Sequence, residues 1–94
     1  MDWILSFQDY LLLEKKYSAL TAKAYIQDLN FFKDYLQKDF DEHQTIVDVN
    51  YSIIRSWIVS LIESGQSNVS VNRKISSLKA FYKYLLKSKQ IDFN

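Results

Sequence analysis

The 94-residue chain has no cysteine, no proline, one glycine and one histidine. Without cysteine there are no disulfides and no thiolate metal sites, which suits a reducing, cytoplasmic setting. Without proline, and with Gly65 as the single glycine, most of the turn chemistry that a small all-β domain needs at its hairpins is missing, so the fold is expected to be all-α. The lone imidazole, His43, would have to recruit Asp41 and Glu42 with no second imidazole or thiol, and no metal or cofactor is expected. There is no glycine-rich phosphate loop, nucleophile elbow or His-Glu-x-x-His pattern. Carboxylates such as Asp28, Asp34 and Glu63 are scattered, with nothing to pair them in an apolar pocket, and read as solvated helix surface. The start, Met-Asp-Trp-Ile-Leu-Ser-Phe-Gln-Asp-Tyr, lacks a basic region and an unbroken apolar run, so neither a signal peptide nor a membrane partner is expected.

Apolar side chains are plentiful. They make up 48% of the chain and include six Phe, seven Tyr and two Trp, enough for one modest core in a single domain over 1–94. Their spacing predicts four helices, at about 2–15, 19–38, 51–64 and 68–88, packed as a compact bundle. In the first, Trp3, Phe7, Tyr10, Leu11 and Glu14 trace one side. In the second, Ser18 is the expected N-cap and Tyr25, Leu29, Phe32 and Leu36 form the stripe. The acidic stretch from Asp39 to Asn50 reads as the longest loop. The third helix follows Asn50 and turns Ile54, Trp57, Ile58, Leu61 and Ile62 inward. Gly65 suits a left-handed C′ residue before Ser67 caps the fourth helix.

Charge is unevenly distributed. Residues 1–64 hold six Lys or Arg against ten Asp or Glu, whereas residues 65–94 hold six against Asp92 alone. The basic excess falls on the fourth helix, whose core stripe is Val71, Ile75, Leu78, Tyr82 and Leu85. Opposite that stripe the spacing brings up Arg73, Ser76, Ser77, Ala80 and Tyr84, flanked by Lys83 and Lys87 on one side and Ser70 and Lys74 on the other. A basic face with short side chains at its centre lets a helix approach a polyanion closely, so duplex DNA is the first partner to consider. The second helix adds Ser18, Thr21 and Lys23 at its start, where free amides and hydroxyls suit a phosphate. Simple capping is the plainer reading of Ser18 and Ser67.

The run Tyr17-Ser18-Ala19-Leu20-Thr21-Ala22-Lys23-Ala24-Tyr25-Ile26-Gln27-Asp28-Leu29, with Phe32 and Leu36, resembles the second helix of the N-terminal core-binding domain of tyrosine recombinases. The run from Ser67 to Leu85 resembles its fourth helix, and the Xer-type and phage-integrase-type members are the nearest in pattern. The resemblance implies a four-helix, SAM-like domain forming half of a C-shaped clamp on a recombination site, with the second and fourth helices crossing adjacent major grooves. Carried over position by position, the DNA-contact candidates are Ser18, Thr21, Lys23, Ser70, Arg73, Lys74, Ser77 and Lys83. In such proteins a tyrosine attacks a phosphodiester in a separate C-terminal catalytic domain, so this chain is expected to be non-catalytic, and none of its seven Tyr is assigned as the nucleophile. The ending at Asn94 is expected to mark a fragment of a longer recombinase or integrase. Its expected partners are duplex DNA, that catalytic domain, and other protomers in a synaptic tetramer. A competing reading is a small helical protein-interaction domain that docks through Trp3, Phe7 and Tyr10. An RNA-binding module is disfavoured because no exposed aromatic platform for unstacked bases is evident.

Overall fold

Each predicted helix start is built from a side chain that accepts a free backbone N–H. In the computed structural model, which describes residues 2–40 and 44–88, Asp2 accepts from Ile4 and Leu5, Ser18 from Thr21, Asn50 from Ile53, and Ser67 from Ser70. Each such cap is worth about 1 kcal/mol. Four helices and no strand occur among the described residues: α1 Trp3–Asp9, α2 Ala19–Asp39, α3 Tyr51–Glu63 and α4 Asn68–Lys87. His43, Asp41 and Glu42 lie outside them, as do Lys89 and the tail from Ile91 to Asn94. No described helix is long and apolar enough to cross a membrane.

The first helix departs from its expected course. After Asp9 it widens into a π-helical turn, Tyr10–Glu14, in which the Lys15 N–H reaches back five residues to the Tyr10 carbonyl. Lys16 then takes a left-handed φ of 56°, a conformation that costs a residue with a Cβ about 1 kcal/mol or more. The widened turn keeps Leu11 buried behind Ile4 and Phe7 while Leu13 faces solvent. By contrast α3 ends as expected. Gly65 sits at φ 90°, its N–H bonds the Ile62 carbonyl, and Gln66 reaches the Leu61 carbonyl, which together make a Schellman cap.

Helix α4 lies at the centre of the packing. Phe81 meets Phe7 of α1 edge-on at 5.4 Å, Tyr84 packs on Phe7 and Tyr10, and α4 contacts both α2 and α3. Phe32 of α2 packs on Trp57 of α3 at 4.7 Å, closing the other side. Because three helices surround α4, its buried arc is wider than the single expected stripe: Val71, Lys74, Ser77, Leu78, Phe81, Tyr82 and Leu85 are all buried. Two expectations fail here. Ile62 is 57% exposed, since Trp57 and Leu61 fill the inward arc of α3 and leave Ile62 on its outer side. Ser77 and Tyr84, placed on an open basic back by spacing alone, pack against α2 and α1 respectively.

The segment between α2 and α3 is anchored from α4. The Tyr82 hydroxyl donates to the buried Ile46 carbonyl at 2.6 Å, and Thr45 Oγ1 accepts from the Asp48 N–H. Burial holds the Tyr82 hydroxyl well above the usual tyrosine range. In the unfolded chain the same phenol ionises near pH 10, so the stability it contributes is complete below about pH 10 and is lost as pH rises beyond it. Tyr82→Phe should destabilise the fold by about 1–2 kcal/mol at pH 8, because the Ile46 carbonyl loses its buried donor. Thermal melts at pH 8 and near pH 11 should show that deficit narrowing at the higher pH. A constant deficit across that range would contradict the assignment.

Candidate nucleic-acid interface

Helices α2 and α4 meet at one carboxylate. Asp28, in the middle of α2 and 3% exposed, accepts from Arg73 Nη2 at 2.9 Å on Oδ1 and from Arg73 Nε at 3.1 Å on Oδ2. Ser77 Oγ donates to the same Oδ2 at 2.8 Å, and Lys74 Nζ stands 3.9 Å from Oδ1. The Ser77 hydroxyl carries one hydrogen. Its shorter contact takes that hydrogen to Asp28, leaving the Arg73 carbonyl at 3.2 Å as a weaker second contact. The reading of Asp28 as solvated surface is therefore corrected: residues 73, 74 and 77 of the facing helix close over it.

Lys74 is buried as well. Its side chain is 8% exposed, its ammonium donates to Ser70 Oγ at 3.1 Å, and it lies 5.5 Å above the centre of the Phe31 ring. Ser70 passes its own hydrogen to Gln66 Oε1. A buried ammonium needs such a set, since an uncompensated charge there is costly. Arg73 differs, with 53% of its side chain exposed. The bidentate bond to Asp28, with the attraction of that carboxylate, holds the Arg73 guanidinium above its already high range, so it stays charged. That pairing commits two of its five N–H donors.

The eight sequence candidates fall into three classes. Ser77 is 0% exposed and Lys74 is sealed against Phe31, so both are withdrawn from a surface contact and serve the α2–α4 junction. Ser18 accepts from the Thr21 N–H and donates to Thr21 Oγ1, and Ser70 is bound between Lys74 and Gln66, so these hydroxyls already have partners. Thr21, Lys23, Arg73 and Lys83 stand on exposed surface. Spacing passed over Asn72 and Lys79. Together with Ser76, Lys83 and Lys87 they form the exposed stripe of α4, about one residue of helical rotation from the expected back. The signal was present in the sequence as the 72, 76, 79, 83, 87 spacing, but Ile75 at i+4 from Val71 drew the core stripe one position too far round. Lys87 also lies 5.3 Å over the Tyr10 ring.

The two helix starts are not neighbours. Asp28 meets Arg73 and Ser77, whereas Phe31, further along α2, meets Lys74, and Gln66 shares a groove with Asp34, Tyr35 and Lys38 of the second half of α2. The two helices therefore run in opposite senses where they touch. At 1.5 Å per residue Ser18 lies about 15 Å from Asp28 along α2 and Ser67 about 9 Å from Arg73 along α4, on opposite sides of the junction.

The aromatic docking surface of the competing reading is spent on the core. Phe7 is fully buried, and Trp3 and Tyr10 are half-buried against the core cluster. Among the described residues no three His, Asp or Glu come together as a metal site.

Comparison with known proteins matches residues 4–89 to the family model of the phage integrase N-terminal SAM-like domain. The chain is 38% identical over 92 residues to the tyrosine recombinase XerC of Oceanobacillus iheyensis, covering 98% of this chain and 30% of that protein. It is 35% identical over 88 residues to XerC of Anoxybacillus flavithermus, covering 94% and 29%, and 30% identical over 94 residues to XerC of Pediococcus pentosaceus, covering 100% and 31%. The chain thus spans under a third of the length of these curated relatives. No solved structure matches significantly.

Removing the junction carboxylate should be the most damaging surface-adjacent substitution in the chain. Asp28→Ala strands a buried ammonium and should cost about 3–4 kcal/mol. Ser77→Ala should cost about 1 kcal/mol, and Arg73→Ala should cost less than Asp28→Ala because its side chain is half in water. Urea unfolding gives the ranking. An Asp28→Ala loss no larger than that of Ser77→Ala would contradict the network.

Proposed function

We propose that this chain, which belongs to the family of phage integrase N-terminal SAM-like domains, grips duplex DNA at a recombination site on behalf of a tyrosine recombinase. The observation that carries this reading is the exposed stripe of α4, where Asn72, Ser76, Lys79, Lys83 and Lys87 line up with Arg73 at their edge. Such a surface offers cations to phosphates and short polar groups to base edges. Helix α4 itself carries no carboxylate, so its own side chains add no repulsion toward a polyanion.

A second contact region is assigned to the start of α2, through Thr21, Lys23 and the amides that Ser18 leaves uncapped. Because the two helix starts lie on opposite sides of the α2–α4 junction, we assign them to separate stretches of backbone. A spacing on the order of 20–25 Å along the helices exceeds the roughly 12 Å width of a major groove. One end would therefore hold phosphates beyond the groove into which the other projects. Of the sequence candidates, Thr21, Lys23, Arg73 and Lys83 keep a direct role, and Asn72, Ser76 and Lys79 join them. Ser18, Ser70, Lys74 and Ser77 act from within the fold.

Phosphodiester chemistry is assigned to a separate C-terminal catalytic domain, with this chain as the non-catalytic half of a clamp. The XerC relatives are recombinases of more than three times the aligned length, which leaves room for such a domain. Further partners are then recombinase protomers assembled on the same DNA. The setting for this work is cytoplasmic.

Anchoring of this kind depends on salt. With Lys23, Arg73, Lys79, Lys83 and Lys87 on phosphates, log K against log salt should fall with a slope near −4 to −5 for random duplex, set by counterion release. Lys83→Ala should reduce the magnitude of that slope by roughly 0.9 without lowering thermal stability. Flat or absent binding by the folded chain would overturn the reading.

A further inference from the structure

We infer that Asp28 is a positioning residue for DNA binding: it holds the Arg73 guanidinium edge-on at the rim of the α4 stripe, so that the outer edge of the fork meets the nucleic acid already oriented. The inference rests on the DNA-binding reading above and adds to it a residue that cannot itself touch a polyanion. Asp28 is negative, buried, and on a helix other than the one that carries the stripe.

Three observations support it. The pairing is bidentate, through Nε and Nη2, which fixes the guanidinium plane as a single contact would not. Ser77 Oγ also bonds the carboxylate and Lys74 flanks it, so the carboxylate is held by contacts other than Arg73. Arg73 nonetheless remains 53% exposed, with three N–H donors outside the pairing. A half-exposed arginine on a flexible stem ordinarily samples many rotamers, and ordering it on binding costs affinity. Here that ordering is completed in the free protein. Because Asp28 belongs to α2, the same pairing ties the orientation of Arg73 to the placement of the α2 start that carries Lys23.

Charge and positioning predict opposite signs, which makes the inference testable. Asp28→Asn removes a negative charge and should strengthen binding to any polyanion if charge alone matters. If Asp28 positions Arg73, that variant should instead bind a random-sequence duplex more weakly, by roughly three- to tenfold at fixed salt, despite its added net positive charge. Arg73→Lys serves as the second variant, since it keeps the charge at a half-exposed site where the fold tolerates change, yet cannot form the two-point pairing. It should bind more weakly than the unmodified chain, and Asp28→Asn combined with Arg73→Ala should be no weaker than Arg73→Ala alone.

Fluorescence anisotropy with the 94-residue chain, below the melting temperature of each variant by circular dichroism, gives these affinities. Tighter binding by Asp28→Asn, or Arg73→Lys binding like the unmodified chain, would overturn the positioning role while leaving DNA binding intact. Absence of salt-dependent binding by the unmodified chain would overturn both.

Discussion

A single carboxylate buried between two helices sets the geometry on which the rest of this fold depends. Asp28 joins α2 to α4 through Arg73, Ser77 and Lys74, in contacts that only one register of the two helices permits. The apolar neighbours, Leu29 and Phe32 on α2 and Leu78 and Phe81 on α4, would tolerate some sliding, because hydrophobic contact is not directional. Two hydrogen bonds to one guanidinium do not tolerate it. The junction therefore contributes uniqueness of register more than net stability, in keeping with the desolvation cost that buried ion pairs carry.

The same junction divides the polar residues of α4 into those that build and those that face outward. Lys74 and Ser77 turn toward Asp28, while Asn72, Ser76, Lys79 and Lys83 turn to solvent. Arg73 belongs to both sets, buried enough to be held and exposed enough to reach. The two hydroxyl-capped helix starts project from opposite ends of the α2–α4 contact, so a nucleic acid lying along it would be held at two points. The proposed salt dependence rests on the outward set, and the orientation of Arg73 on the inward one.

Most of the architecture was legible in the residues. The caps at Ser18, Asn50 and Ser67 and the left-handed glycine at position 65 are local devices with local signatures, so the second, third and fourth helices emerge within a residue of their observed ends. The π-helical turn after Asp9 was not legible, because it goes with the packing of Tyr10 on Tyr84 of α4, not with anything in the run Tyr10–Glu14 itself. The outward face of α4 was legible to within one residue of helical rotation. Spacing marks one stripe of a helix as apolar, but α4 is enclosed by three neighbours, and the width of a buried arc depends on how many helices surround it. Asp28 was missed for a related reason. A lone carboxylate on a helix looks like surface until its partner, 45 residues away, is placed over it.

The family match supports the role of the chain in recombination, and the geometry narrows where DNA would lie on it. We propose that α2 and α4 meet duplex DNA at two regions on either side of the Asp28 junction. Amide chemical-shift mapping of the 94-residue chain during titration with a short duplex tests it most directly. Perturbations are expected at Ser18–Lys23 and along Asn72, Arg73, Ser76, Lys79 and Lys83, with α3 residues such as Arg55, Val59 and Ile62 unmoved. Perturbations centred on α3, with the stripe of α4 silent, would contradict it.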